Sequence, residues 1–217
     1  MKKNLTEVVF ILDRSGSMAN LTSDTIGGFN SMLDNQKKET GDAFVTTVLF
    51  DDQYELLHDH VDIREVEHIT DKEYYARGCT ALLDAVGKTI NSIGNRLSNT
   101  AEEERPEKVI FVITTDGFEN ASREFTKVAV RDMIKHQQEK YSWSFIFLGA
   151  NMDAVSEAES LGINANYAHT YTASSVGTAS VYNSVDAAMS CMRNLDYDTV
   201  SQSAVDALVK TTLNSVK

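Results

Sequence analysis

Proline occurs only once in this 217-residue chain, tryptophan once and cysteine twice. A lone proline leaves no room for a proline-rich linker, and no low-complexity tract or repeat interrupts the chain. Cys79 and Cys191 lie far apart and form neither a disulfide framework nor a zinc-ligand spacing. No apolar run approaches the roughly 20 residues that a membrane-spanning helix needs. The opening MKKNLTEVVFILD has two lysines but an apolar run too short for a signal peptide. These absences predict a cytoplasmic protein that does not engage a membrane. Basic residues are also scarce: 20 Lys and Arg stand against 32 Asp and Glu, a net charge of −12. Phosphate backbones need a cationic face, so nucleic acid is excluded as the expected partner. There is no GxxxxGK[ST] loop and no G-x-S-x-G elbow, which removes two common catalytic frameworks.

Apolar runs do alternate with amphipathic stretches from end to end. Strands are predicted at Val8–Leu12, Phe44–Phe50, Tyr54–Val61, Val109–Thr114, Ser144–Leu148 and Tyr167–Tyr171. The second and third are separated only by Asp51, Asp52 and Gln53, a hairpin spacing, and YELLHDHV is polar enough for an edge strand. Helical faces are predicted from Ile26, Phe29 and Leu33, and from Leu83, Val86, Ile90, Ile93 and Leu97. Others follow from Val130, Met133 and Ile134, from Val155, Ala158 and Leu161, and from Val181, Val185, Met189 and Met192. This alternation predicts an α/β fold: a doubly wound, mostly parallel six-stranded sheet with one antiparallel edge strand and helices on both faces.

Chemistry gathers where the strands end. VVFILDRSGSM places Asp13, Ser15 and Ser17 just beyond a strand covered on both faces. Thr115, Asp116 and Gly117 likewise follow a buried strand, and Thr80 opens the long helix beginning near Leu83. Ligands of open parallel sheets bind beyond the carboxyl ends of the strands, at the switch point. Carboxylates with hydroxyls make a hard-oxygen set suited to a divalent cation. Taken singly, Asp13 and Asp116 read as helix caps, and Ser15 and Ser17 as turn formers.

Together, DRSGS, Thr80 and TTDG resemble the metal-ion-dependent adhesion site of von Willebrand factor type A domains. The resemblance covers about Glu7 to Arg193. The domain is accordingly expected over residues 1–195, and the spacing of Val205, Leu208, Val209 and Leu213 predicts a packed helix in the 196–217 tail. The resemblance also implies that Ser15 and Ser17 ligate Mg²⁺, with Mn²⁺ or Ca²⁺ as other cations, and that Thr80 ligates directly or through water. Asp13 and Asp116 would hold coordinated waters. A partner protein's Asp or Glu would complete the shell, and the chain would be a docking module rather than an enzyme. The intracellular bacterial members that it resembles serve multiprotein, chelatase, tellurite-resistance and AAA ATPase-associated systems. Asp84 lies one turn beyond Thr80 as a supporting carboxylate; Glu119, Asn120, Tyr75 and Arg77 shape the rim, and Gly16 and Gly117 permit tight turns. Tyr74 is grouped with that rim, and His58 and His60 share one side of the edge strand. The rival reading is a Mg²⁺-dependent hydrolase or phosphotransferase using the open metal position.

Overall fold

A computed structural model describes residues 1–196 and 199–214. Its central strand is β1 (Lys2–Asp13), in which every residue from Leu5 to Asp13 is buried. β2 (Asp42–Phe50) pairs with it in parallel on one side and β4 (Pro106–Thr115) on the other. β3 (Tyr54–Asp62) returns antiparallel along β2, while β5 (Ser144–Ala150) and β6 (Ala168–Tyr171) extend the sheet beyond β4. The order is β3-β2-β1-β4-β5-β6, the doubly wound arrangement expected, with β3 as the antiparallel edge.

The helices are α1 (Thr22–Gln36), α2 (Leu82–Asn99), α3 (Lys127–Tyr141), α4 (Ala154–Ser160), α5 (Ser175–Asn194) and α6 (Gln202–Leu213). From β1 the chain moves to β2 through α1, and it later crosses back to β4 through α2. Right-handed crossovers in opposite directions place those helices on opposite faces. α1 packs on α5, and α2 on α3. Both faces of the sheet are therefore covered, which explains the uninterrupted apolar runs of β1 and β4. Phe10 meets Phe29 of α1 edge to face at 5.1 Å, and Phe111 stacks on Phe145 at 4.8 Å.

β1 starts six residues before the apolar run, because its polar beginning still pairs with β2 and β4. Tyr167 belongs to a short 3₁₀ turn rather than to β6. Val155 and Leu208, expected on buried helix faces, are exposed. In α6, Val205, Val209 and Leu213 are buried, the helix lies against α5, and Tyr167 Oη donates to Asp206 at 2.9 Å. Positions 197–198 and 215–217 of the 196–217 tail lie outside the described residues. Among the described residues, no helix is long and apolar enough to cross a membrane.

β3 departs from simple alternation. His60 has φ of +54° beside a register shift, so it and His58 have different neighbours. His60 Nδ1 meets Glu7 at 2.7 Å, whereas His58 lies in the field of Glu67 and Glu73. The shared side expected from their spacing is lost to the bulge.

Candidate metal centre

β1 and β4 are neighbours whose chains leave the sheet in opposite directions, so a crevice opens between their carboxyl ends. Asp13 is the last residue of β1 and Thr115 the last of β4. The Asp13 carboxylate is fully buried and doubly held: Ser15 N donates to Oδ1 and Thr115 Oγ1 to Oδ2, each at 2.6 Å. Tyr74 Oη donates to the Asp13 carbonyl at 2.5 Å. Tyr74 is wholly buried beneath the site, so it does not belong to the rim with Tyr75.

Beyond Asp13 the chain makes a 3₁₀ turn, Gly16–Leu21, that brings the two serines together. Ser15 Oγ lies 3.1 Å from Ser17 Oγ, and Ser17 Oγ donates to Asp116 Oδ1 at 2.5 Å. Gly117 brings Thr80 into the same group. A Cβ built on Gly117 would stand 3.0 Å from Thr80 Oγ1 and 3.5 Å from Ser17 Oγ, so a side chain there would crowd both hydroxyls. The function of Gly117 is thus close approach; neither it nor Gly16 has positive φ. Gly78 takes the left-handed conformation instead, with φ of +66°.

The helix-opening segment is fastened from the other side of the crevice. Thr80 N donates to Asn120 Oδ1 at 2.9 Å, and Asn120 N returns to the Thr80 carbonyl at 3.0 Å. No side chain of the residue preceding α2 caps that helix. Glu119 does so from a distance of 36 residues, accepting from Leu83 N at 2.9 Å. Asp84 accepts from the backbone N–H groups of Arg123, Glu124 and Phe125 at 2.9, 2.9 and 2.8 Å. It therefore fixes the loop after β4 rather than facing the hydroxyls. Tyr75 is 42% exposed and Arg77 half-buried, with Arg77 Nη1 donating to Tyr75 Oη at 3.0 Å.

Burial pushes the Asp13 carboxyl up to about 6, despite the opposing Thr115 and Ser15 hydrogen bonds, and the Asp116 charge adds to the rise. Burial also raises Asp116, against the hydrogen bond from Ser17. Burial thus disfavours ionisation of both carboxylates, and a cation held near them reverses that preference. Among the described residues, no three His, Cys, Asp or Glu are grouped to hold a metal. The donor set is instead three hydroxyls with two carboxylates, all oxygen and only two of them charged. It fits a hard divalent ion and not a soft one.

The sequence singled out all five of these residues, and the fold gathers them at one crevice. It gave no sign that Thr115 would hold Asp13, although Thr115 adjoins Asp116. The long-range bonds of Glu119 and Asn120 had no local signal at all.

The fold is similar to that of solved von Willebrand factor type A domains. Proximal thread matrix protein 1 from the mussel byssus aligns with a TM-score of 0.62 at 16% identity, over 89% of this chain and 47% of its own. Another structure of that mussel protein, with a zinc-occupied metal-ion-dependent adhesion motif, aligns with a TM-score of 0.58 at 17% identity. The corresponding domain of the type V pili tip protein Mfa5 from Porphyromonas gingivalis gives 0.61 at 10% identity, over 90% of this chain and 98% of its own. The present chain thus spans less than half the length of the mussel protein. No protein-family model and no curated protein matches the sequence.

Proposed function

We propose that this protein is a divalent-cation-dependent interaction module that docks an acidic side chain of a partner protein onto Mg²⁺. The Ser15–Ser17 separation carries the reading. Oxygens about 2.0–2.1 Å from Mg²⁺ at octahedral angles lie about 2.9 Å apart, and the two hydroxyl oxygens already stand 3.1 Å apart. Ca²⁺ bonds of about 2.3–2.6 Å favour a wider set, and Mn²⁺ is the closer alternative. Ser15, Ser17 and Thr80 would hold the ion, while Asp13 and Asp116 would orient its waters. The bound ion supplies an electrophilic position, because its protein ligands are neutral hydroxyls. A partner's Asp or Glu then brings the missing charge. Phe118, 66% exposed and two residues from Asp116, supplies apolar area at the same rim.

The same reading makes the chain a binding module rather than an enzyme, and that part of it rests on the resemblance of the sequence and on its lack of a GxxxxGK[ST] loop or G-x-S-x-G elbow. A bacterial, cytoplasmic setting within a chelatase, tellurite-resistance or other AAA ATPase-associated assembly is part of the proposal and rests on the sequence resemblance. Calorimetric titration with Mg²⁺ and Mn²⁺ tests the metal, with binding expected for the wild-type chain and lost in Asp13→Ala. Partner capture with and without chelator tests the bridge; equal capture in both would sink it. Mg²⁺-dependent phosphatase turnover that disappears in Asp116→Ala would replace docking with hydrolysis.

A further inference from the structure

Neither Ser15 nor Ser17 is bonded to Thr80, yet all three hydroxyls must keep fixed separations to hold one ion. Backbone bonds give part of the connection: Gly16 N donates to the Gly78 carbonyl at 3.1 Å, and Arg77 N to the Arg14 carbonyl at 2.8 Å. The remainder centres on Asp51, in the turn after β2, whose side chain has no exposure. Arg14 lies between Asp13 and Ser15 and is also wholly buried, with Nε 3.3 Å from Asp51 Oδ2. Arg77, three residues before Thr80, donates from Nε to that same oxygen at 2.5 Å. Ala81 N, just past Thr80, donates to the Asp51 carbonyl at 2.9 Å, and Gln53 N to Oδ1 at 2.7 Å. Arg14 is further held by Glu55 at 2.6 Å and by the Glu73 carbonyl at 3.2 Å. The Tyr75 ring covers both guanidinium groups at 5.5 and 5.3 Å.

One buried carboxylate is therefore met by an arginine from each metal-holding segment, Arg77 through a hydrogen bond and Arg14 through an ion-pair contact without one. A buried ion pair adds little net stability over apolar packing, since desolvation offsets its attraction. What the arrangement does supply is fixed geometry, because both segments converge on one carboxylate oxygen that cannot move without leaving a buried charge unpaired. Arg77 accordingly looks inward as a tie, beyond any place it has on a partner-facing rim.

We propose that Asp51, clamped between Arg14 and Arg77, is a positioning residue that sets the spacing of Ser15 and Ser17 relative to Thr80, and thereby divalent-cation affinity and selectivity. This inference rests on the metal reading above. Its test uses Arg77→Gln, because Arg77 is half-exposed and its loss spares the buried Arg14–Asp51 contact. Arg77→Lys serves as conservative rescue. Arg64→Gln serves as control, since Arg64 makes an equally short ion pair with Asp62 away from the crevice. Mg²⁺ and Mn²⁺ affinities are measured by calorimetry and the Mn²⁺ environment by electron paramagnetic resonance, with metal-free melting as a check on the fold. Arg77→Gln is expected to weaken Mg²⁺ binding by about tenfold or more. Mn²⁺ binding should weaken less, its resonance should change, and Arg77→Lys should regain part of the loss. Wild-type affinity in Arg77→Gln, or equal losses in Arg77→Gln and Arg64→Gln, would overturn the clamp. A wild-type chain that binds neither cation would instead overturn the metal reading itself.

Discussion

Replacing Asp84 with alanine removes the carboxylate that gathers Arg123 N, Glu124 N and Phe125 N. Hydrogen bonds to a charged group contribute about 1.5–3 kcal/mol each when fully retained from water. Arg123 and Glu124 are largely exposed, so their freed N–H groups can bond to water; Phe125 is half-buried. Counting mainly the Phe125 bond, with small contributions from the others, gives a loss of about 2 kcal/mol. In a chain of this size that lowers the melting temperature by about 4–8 °C. The pH dependence has a definite sign. Burial pushes Asp84 up, but the three backbone donors outweigh it and hold the carboxyl below its ordinary value. The part of its stabilisation that depends on charge is thus complete above the unfolded pKa of about 3.9 and is lost as pH falls through the lower folded value. Scanning calorimetry of both proteins should show a constant gap from pH 7 to about 5 that narrows below about 4. Equal melting temperatures at pH 7, or an undiminished gap at pH 3, would refute this account.

Two other substitutions separate site from scaffold. Thr115→Val keeps the shape but strips Asp13 Oδ2 of its hydroxyl donor, so it should cost about 1–3 kcal/mol in urea unfolding and weaken Mg²⁺ in calorimetry; unaltered metal affinity would detach Thr115 from the site. Arg96→Met deprives the buried Glu7 carboxylate of its 2.5 Å partner, leaving Thr46 and His60. A loss of about 2–3 kcal/mol is expected, reduced by the partial exposure of Arg96. Glu7 stands about 20 Å along β1 from Asp13, so Mg²⁺ affinity measured on the folded variant should be unaffected; a parallel fall would show that the two ends of the strand are coupled.

The sequence by itself determined the alternation of elements and the ends at which chemistry collects. Apolar periodicity is local, and so is the abrupt change from Leu12 to Asp13 and from Thr115 to Asp116; both are readable because the chain must leave the core where those strands stop. It also marked the hairpin edge, since three polar residues between two strands leave room for little else. Local pattern failed where a distant partner decides the outcome. The bulge at His60 reverses a side-chain direction that simple alternation assigns. Tyr74 and Tyr75 are adjacent and alike in type, yet one is buried under Asp13 and the other is exposed, because only packing around β1 distinguishes them. Glu119 caps a helix through Leu83 N, 36 residues earlier, and Asp51 joins Arg14 to Arg77 from the turn after β2. Strand ends fix which oxygens can reach the crevice. Their mutual spacing is set by long-range hydrogen bonds and buried charge, which exist only once the chain has folded back on itself.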